Sequence, residues 1–170
     1  ALGNKLYFER RLSSDGTVSC ATCHDPRHGF AEAKPVSVGI EGRKGVRNAP
    51  SAFDAAFLGT QFWDGRAPTL EEQAKGPIVN PVEMGLADAA AAEQAIAGIA
   101  EYGPLFQQAF GDPKVTMERI AMAIASFERT LVDVQAAYDA ASESITLTLT
   151  NRSSSATRLR IADAYVGGPG

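Results

Sequence analysis

Two cysteines and a histidine within five residues constrain this chain more than any other feature. They form the segment Cys20-Ala-Thr-Cys23-His24, and the 170-residue chain has no other cysteine. On one turn of helix the two thiols lie on the same face, and the imidazole follows at once. This spacing attaches a c-type haem, because the thiols bond its two vinyl groups while the histidine ligates the iron. The segment predicts one covalent haem c with His24 as the proximal ligand.

Other uses of a Cys-x-x-Cys pair fit the sequence less well. A disulfide between residues three positions apart closes a very short loop and removes little entropy from the unfolded chain. A thioredoxin-like site requires a βαβ unit around the pair, and a zinc site requires a second pair of ligands; the sequence shows neither pattern. Because haem c is attached outside the cytoplasm, we expect a periplasmic or otherwise extracytoplasmic protein.

The length and charge of the chain fit a compact domain that can hold such a group. Of the 170 residues 45% are apolar, which is enough to bury a haem and still pack a core. The net charge is only −4, with the two signs interspersed, so neither nucleic acid nor an anionic membrane is expected as a partner. The apolar stretches are too short for a membrane span.

The middle of the chain differs in composition and in hydrophobic periodicity from the parts around it. Residues 25–68 are rich in glycine and proline and have little periodicity, and a stretch of this length in a compact domain usually wraps a site.

Met117 and Met122 belong to the best helical pattern and are expected to fill gaps in the core. Capping residues and apolar spacing predict helices over residues 2–10, 69–76, 88–100, 103–110 and 116–131.

The last residues have a strand pattern. Ile145, Leu147 and Leu149 alternate with threonines, and Leu159 and Ile161 indicate a returning strand after a polar turn. We therefore predict a mainly α fold: a cytochrome c-like helical haem domain with long irregular loops over residues 1–135, and an appended C-terminal β-hairpin over residues 136–170.

The open side of the iron decides between two kinds of function. With a second strong ligand a c-type haem carries electrons, and Met84 is a plausible candidate for that ligand. With the position open, the haem can cleave peroxide, which requires a group that takes a proton from one oxygen and returns it to the other. Glu83 can fill that role if partial burial raises its pKa, and the Gln73 amide can hold the bound peroxide. His28 is too close to His24 to reach the far side of the haem and is expected at the surface.

Several motifs in order carry a family resemblance over residues 2–132. They occupy residues 2–8, 11–26, 45–50, 61–67, 73–77, 80–85 and 127–131. In these segments the chain resembles the bacterial di-haem cytochrome c peroxidases and their MauG-like relatives, specifically the N-terminal domain that reacts with peroxide.

The resemblance implies a role for each matched site residue. His24 would ligate the peroxidatic haem, Glu83 would be the acid–base residue, and Gln73 would be its partner in the distal pocket. Trp63 would lie between two haems on the electron route, and Asn48 would bind a calcium ion at the domain junction. The implied partners are hydrogen peroxide and an electron-donor cytochrome or cupredoxin.

Two departures from the family pattern affect the mechanism. Many members have a histidine at the position of Ile40, where it blocks the iron until the second haem is reduced. Because isoleucine cannot ligate iron, we expect a haem that needs no reductive activation. The family's C-terminal haem domain does not follow in this sequence, so the second electron would come from a protein radical, a partner cytochrome, or a second haem domain or chain.

Two other functions stay open on the sequence alone. One is a mono-haem electron carrier, with Met84 or another group as the sixth ligand. The other is a subunit of a larger cytochrome assembly, in which the exposed edge of the hairpin pairs with a neighbour.

Overall fold

The computed structural model describes residues 1–132 and three further strands. The strands are Val134–Asp139, Ser144–Leu149 and Thr157–Arg160. The chain divides into two compact units, Ala1–Leu131 and Val132–Gly170. The first unit holds all of the predicted site residues, and the predicted boundary after residue 135 stays a prediction.

Within residues 1–132 the regular structure is helical, which confirms the prediction of a mainly α fold. Three of the helices are capped as their sequences predict: the side chains of Thr69, Asp88 and Thr116 each accept a hydrogen bond from the backbone N–H three residues further on. The helices are α1 Leu2–Tyr7, α2 Cys20–Cys23, α3 Leu70–Val79, α4 Ala89–Ala97, α5 Tyr102–Phe110 and α6 Met117–Glu128.

Helix α6 is the centre of the core and packs against α1, α3 and α4. Its Ile120 and Ile124 are fully buried, and each such side chain stabilises the fold by about 1.5–3 kcal/mol. The α1 backbone approaches α6 closely at Gly3, where a methyl group would lie 1.8 Å from the Ala123 carbonyl oxygen. Only glycine allows this approach.

Two details of the helices differ from the sequence-based predictions. Met117 is buried as expected, but Met122 is 48% exposed, so its predicted core position was wrong. Two helical positions rotate a side chain by about 200°, which puts Met122 on the side opposite the buried Ile120 and Ile124. Helix α3 continues through Pro77 and ends at Val79, three residues beyond the predicted end.

The segment between α2 and α3 has no long regular element. It contains three short 3₁₀ turns, Pro26–His28, Ile40–Gly42 and Ala55–Phe57. Single antiparallel bridges hold it together, at Asp25 with Ala31, Val38 with Lys44, and Gln61 with Ala67. The irregular character predicted for residues 25–68 is confirmed.

The second unit contains an antiparallel sheet in the order β1-β2-β3, formed by the three strands in chain order. Val134 of β1 pairs with Leu149 of β2, and Leu149 also pairs with Thr157 of β3. Among the described residues, no helix is long and apolar enough to cross a bilayer.

Candidate functional site

Helix α2 places both thiols and the following imidazole at one cavity. The Ser19 N–H donates to the Thr22 hydroxyl at 2.9 Å, which caps the start of the turn, and the His24 N–H donates to the Cys20 carbonyl at 2.9 Å. This closed turn puts Cys20 and Cys23 on the same side. Both are free thiols, and both line the cavity together with His24.

The surroundings of the thiols differ from those of a thioredoxin-like redox site. Burial raises the pKa of Cys20 to about 12 and that of Cys23 to about 11, with nearby carboxylates adding to the effect. Thioredoxin-like redox cysteines instead have a lowered pKa. Among the described residues, no group of three His, Cys, Asp or Glu side chains is arranged to hold a metal ion.

His24 has the tautomer and the orientation of an iron ligand. Its Nδ1–H donates to the Pro50 carbonyl at 2.9 Å and to the Phe30 carbonyl at 3.3 Å. Because a carbonyl oxygen can only accept, Nδ1 carries the proton and Nε2 keeps its lone pair. Burial lowers the pKa of the imidazole, so the ring is neutral at neutral pH. A backbone carbonyl behind the ring is the usual support for a ligating histidine.

The cavity has a volume of about 470 Å³, within the range of cofactor pockets. Its walls come from α2, from the irregular segment and from α3 with the turn that follows it. The cavity is therefore large enough for a cofactor-sized group at α2, and the irregular segment 25–68 forms part of its wall, as its composition predicted. Its lining includes all the predicted site residues: Cys20, Cys23, His24, Asn48, Trp63, Gln73 and Glu83.

Glu83 lies in the turn after α3, where its carboxylate is held on one side only. The Asn80 side-chain N–H donates to Oε1 of Glu83 at 2.9 Å, while Oδ1 of Asn80 accepts the Val82 N–H at 2.9 Å and fixes the turn. Partial burial raises the pKa of Glu83, and the Arg66 guanidinium opposes that rise. A carboxylate with a raised pKa is suited to take up and return a proton near neutral pH.

Gln73 and Pro77 are one turn apart on α3, and both line the same cavity. The (i, i+4) spacing puts them on one face of the helix. Proline at this position has no N–H, so the Gln73 carbonyl lacks the hydrogen bond that the residue four positions later normally donates in a helix. The side-chain amide of Gln73 is a polar group on this part of the cavity wall.

The residues considered as possible ligands of the iron, Met84, Ile40 and His28, occupy different positions in the structure. Met84 is 3% exposed and lines the cavity beside Glu83. Ile40 is buried in the core against the 83–85 turn, its Cδ1 2.2 Å from where a methyl group on Gly85 would lie, and it is not among the cavity-lining residues. His28 is half-exposed on the surface, 3.3 Å from an Asp25 carboxylate oxygen, as predicted.

Trp63 lies at the mouth of the cavity with 63% of its surface exposed. Its indole N–H donates to the Asn48 carbonyl at 3.0 Å, so the ring is held in place although it faces solvent. Asp64 next to it is paired with both Arg47 and Arg66 at 2.9 Å and 2.8 Å. An aromatic ring that bridges the cavity and the surface is well placed for contact with another redox group.

Sequence reasoning missed two buried polar residues, one on α1 and one on α6. Glu128 is 6% exposed and lines the cavity, and Tyr7 is fully buried. A signal for Glu128 was present, because it continues the (i, i+4) series of Ile120 and Ile124 on the buried face of α6. A charged residue in that register is a candidate for a special role.

Burial of Glu128 makes the stability of the protein depend on pH. Burial raises the pKa of this carboxyl from 4.5 to about 8. Between these values the folded state keeps a proton that the unfolded state has lost, so the free energy of unfolding falls as the pH rises. We expect a loss of up to about 5 kcal/mol between pH 5 and pH 9 from this group.

Denaturant unfolding of the haem-loaded chain at several pH values measures this slope. Glu128→Gln should flatten it, and Glu118→Gln, at an exposed position of the same helix, should leave it unchanged. An equal slope in wild type and Glu128→Gln would contradict the assignment.

Comparison with known proteins gives consistent matches. The family model described as di-haem cytochrome c peroxidase matches residues 1–145. A cytochrome c551 peroxidase of Pseudomonas aeruginosa is 46% identical over 141 residues, covering 81% of this chain and 40% of that protein. The methylamine utilization protein MauG of Methylophilus methylotrophus is 42% identical over 138 residues, covering 81% of this chain and 41% of that protein.

A solved structure agrees with these matches. The crystal structure of a MauG-like protein associated with microbial copper homeostasis superposes with a TM-score of 0.71 at 33% identity, covering 81% of this chain and 40% of that one. The chain thus spans about 40% of the length of the relatives it matches.

Proposed function

Because this chain belongs to the di-haem cytochrome c peroxidase family, we propose that it binds one haem c through Cys20 and Cys23 and reduces hydrogen peroxide there. The observation that carries the proposal is a single cavity lined by both thiols, by the His24 imidazole and by the partly buried Glu83 carboxylate. The cavity therefore presents side chains for haem attachment, for iron ligation and for proton transfer. The extracytoplasmic location expected of a haem c protein is part of the same proposal.

When bound, the haem supplies an iron that binds peroxide and exchanges electrons. Glu83 would accept a proton from one oxygen of the peroxide and return it to the other oxygen, which would leave as water. The Gln73 amide donates a hydrogen bond that holds the peroxide in line for this transfer. The complete reaction takes two electrons and two protons and gives two waters.

Electrons for this reaction would enter near Trp63. The exposed indole at the cavity mouth supports a route from an external donor, either a cytochrome or a cupredoxin, or from a second haem domain or chain. The bond from the indole to the Asn48 carbonyl supports a fixed geometry for that route. A calcium ion bound by Asn48, as the family resemblance implies, would further fix the part of the cavity wall that holds the Trp63 ring.

The tail is proposed to form the appended β-hairpin predicted over residues 136–170. The antiparallel pairing of Ser144–Leu149 with Thr157–Arg160 supports it. No catalytic role is proposed for this part of the chain.

Mixing the unreduced ferric protein with peroxide tests the proposed function. We expect a high-spin ferric spectrum and an immediate optical change with peroxide, because Ile40 cannot ligate the iron and is held in the core. The measurement is stopped-flow absorbance with and without prior reduction, and both samples should react alike. A low-spin ferric spectrum and a reaction only after reduction would contradict the iron being open in the ferric protein, and no reaction in either sample would contradict the proposed function.

One observation favours a second candidate, a mono-haem electron carrier. Met84 lines the same cavity as His24, and a thioether on the far side of the iron would make a six-coordinate centre. In that case the ferric protein would show a methionine charge-transfer band that Met84→Leu removes, and peroxide would change nothing. Under the peroxidase proposal Met84→Leu leaves the ferric spectrum unchanged.

A further inference from the structure

The turn that carries Glu83 is held in place by two distant segments of the chain. This turn, residues 80–85, follows α3 and is called the distal turn below. Three of its backbone carbonyls accept hydrogen bonds from outside it. The bonds run from Nη1 of Arg43 to Pro81 at 2.8 Å, from the Ile40 N–H to Glu83 at 2.9 Å, and from the Ser14 N–H to Met84 at 2.8 Å. Because connecting segments are usually the mobile parts of a protein, such bonds restrict this one.

Gly39 brings the segment 39–43 into backbone contact with the distal turn. A methyl group at Gly39 would lie 2.5 Å from the Glu83 carbonyl oxygen, 2.7 Å from Cα of Glu83, and closer still to the Val82 carbonyl oxygen. All three are backbone atoms, so no side-chain rotation relieves the contact. The φ of Gly39 is −93°, which is open to any residue. The close approach of two backbones therefore explains why this position is glycine.

The residues before α2 connect the same contacts to the cysteine turn. Oδ2 of Asp15 accepts the Glu41 N–H at 3.0 Å, so this part of the chain holds the segment 39–43 as well as the distal turn. The Ser13 hydroxyl oxygen accepts the Val18 N–H at 3.2 Å. Val18 is two positions before Cys20. A continuous series of contacts thus runs from the start of α2 to the distal turn.

A fixed distal turn matters for the proposed proton transfer. Such a transfer needs the carboxylate within hydrogen-bond reach of the peroxide, and a misplacement of about 1 Å can slow a reaction about 10²-fold. The described residues give the Glu83 carboxylate one hydrogen bond, from Asn80, which belongs to the same turn. The position of the carboxylate relative to Cys20 therefore depends on what holds the backbone of the turn.

We propose that Gly39 and Arg43 are positioning residues that act through Glu83. They fix the distal turn, and with it the carboxylate, at one distance from the cysteines of α2. The inference rests on the proposed function, because this position matters only if Glu83 transfers the proton. Neither residue transfers a proton itself: Gly39 has no side chain, and Arg43 does not line the cavity.

A double-mutant cycle on the haem-loaded full chain tests the role of Gly39. Alanine at this position displaces the distal turn, since a Cβ atom essentially never lies within 3.0 Å of another heavy atom. We expect Gly39→Ala to slow the stopped-flow reaction with peroxide by about 10²-fold. In the Glu83→Gln background the same change should slow the remaining reaction by less than about twofold, because the carboxylate that Gly39 positions is gone.

The cycle distinguishes positioning from a merely structural role. A structural glycine would slow the reaction equally in both backgrounds, and that result would overturn the inference for Gly39. Gly59→Ala is the matched control, because Gly59 is exposed and nothing lies within 4 Å of a methyl group there. This variant should react like the wild type.

Arg43 provides a second test that does not require alanine to fit at residue 39. Its side chain is 47% exposed, so its variants are expected to fold. Arg43→Met removes the donor to Pro81 and should slow the peroxide reaction about 2–10-fold, the usual contribution of one hydrogen bond. Arg43→Lys keeps a donor and should restore the rate. Equal rates in Arg43→Met and wild type would overturn the role of Arg43.

Arg27→Met is the control for the lost charge. Arg27 pairs with Asp25, two positions earlier, as Arg43 pairs with Glu41, but it is 84% exposed and its hydrogen bonds stay within residues 25–27. Arg27→Met should react like the wild type. A reaction as slow as that of Arg43→Met would assign the effect to surface charge and overturn the role of Arg43.

Amide hydrogen exchange of the haem-loaded chain separates this inference from the proposed function. If the wild type does not react with peroxide, the proposed function fails, yet exchange over residues 80–86 still reports how the distal turn is held. Arg43→Met should speed this exchange about 2–10-fold, and Arg27→Met should not change it. Unchanged exchange in Arg43→Met would overturn the inference. A peroxide-reactive wild type with equal effects of Gly39→Ala in both backgrounds would overturn it too and leave the peroxidase proposal intact.

Discussion

Glu83→Gln is expected to slow the reaction of the ferric protein with hydrogen peroxide by about 10²–10⁴-fold, the usual contribution of a positioned proton-transfer group. Glutamine has nearly the same shape and can keep a hydrogen bond to Asn80, but it cannot accept the peroxide proton. The haem, its ligand and the cavity stay in place. Stopped-flow absorbance of the haem band measures the loss directly.

The same carboxyl should give the reaction its pH dependence. Burial raises the pKa of Glu83, and only the ionised form can accept a proton. The wild-type rate should therefore fall as the pH drops through that raised pKa, and the residual rate of Glu83→Gln should not follow this curve. An equal pH profile in both proteins would assign the titration to another group.

A matched control separates a lost proton acceptor from a lost charge. Glu72 is an exposed carboxylate on α3 that pairs with Lys75 at 2.8 Å and does not line the cavity. Glu72→Gln should react with peroxide like the wild type. If both variants are equally slow, the effect comes from the overall charge of this region and Glu83 has no special role.

Local features of this protein were predictable from the sequence, because their geometry follows from spacing along one helix. The one-turn separation of Cys20 and Cys23, and the cap at Thr69, depend on residues three positions apart. Both are found in the structure. The candidate roles of Glu83, Gln73 and Trp63 came mainly from family resemblance, since a single carboxylate or aromatic carries little information by itself.

The features that sequence reasoning missed depend on contacts between distant segments. Tyr7 and Glu128 are 121 positions apart, and their burial arises only when α1 packs on α6. The exposure of Met122, in contrast, follows from its position on α6, opposite Ile120 and Ile124. Hydrophobic spacing identified the buried face of α6 through Ile120 and Ile124. Methionine, however, occurs in cores and at surfaces alike, so the residue type did not reveal that Met122 is exposed.

Replacing both attachment cysteines is expected to have the largest effect on the whole molecule. In Cys20→Ala/Cys23→Ala no thioether bonds can form, so haem should be lost on a denaturing gel, where the wild type keeps it. The cavity of about 470 Å³ would then have no tethered occupant. The apolar walls of this cavity would lose the contacts that a porphyrin makes with them, which costs stability.

Water entering through the open side lowers that cost, yet it cannot replace the apolar contacts of a porphyrin with the walls. We therefore expect the variant without haem to lose cooperative unfolding, while helix α6 and its neighbours keep part of their helical circular dichroism signal. Adding free haemin provides the control, because His24 is unchanged and can still ligate iron. If free haemin restores a cooperative transition, and acidic butanone can extract that haem, then the bound haem itself stabilises the fold. The thioether bonds would then serve only to keep the haem in the cavity. A variant that melts cooperatively without any haem would show instead that the helices around α6 close the cavity by themselves.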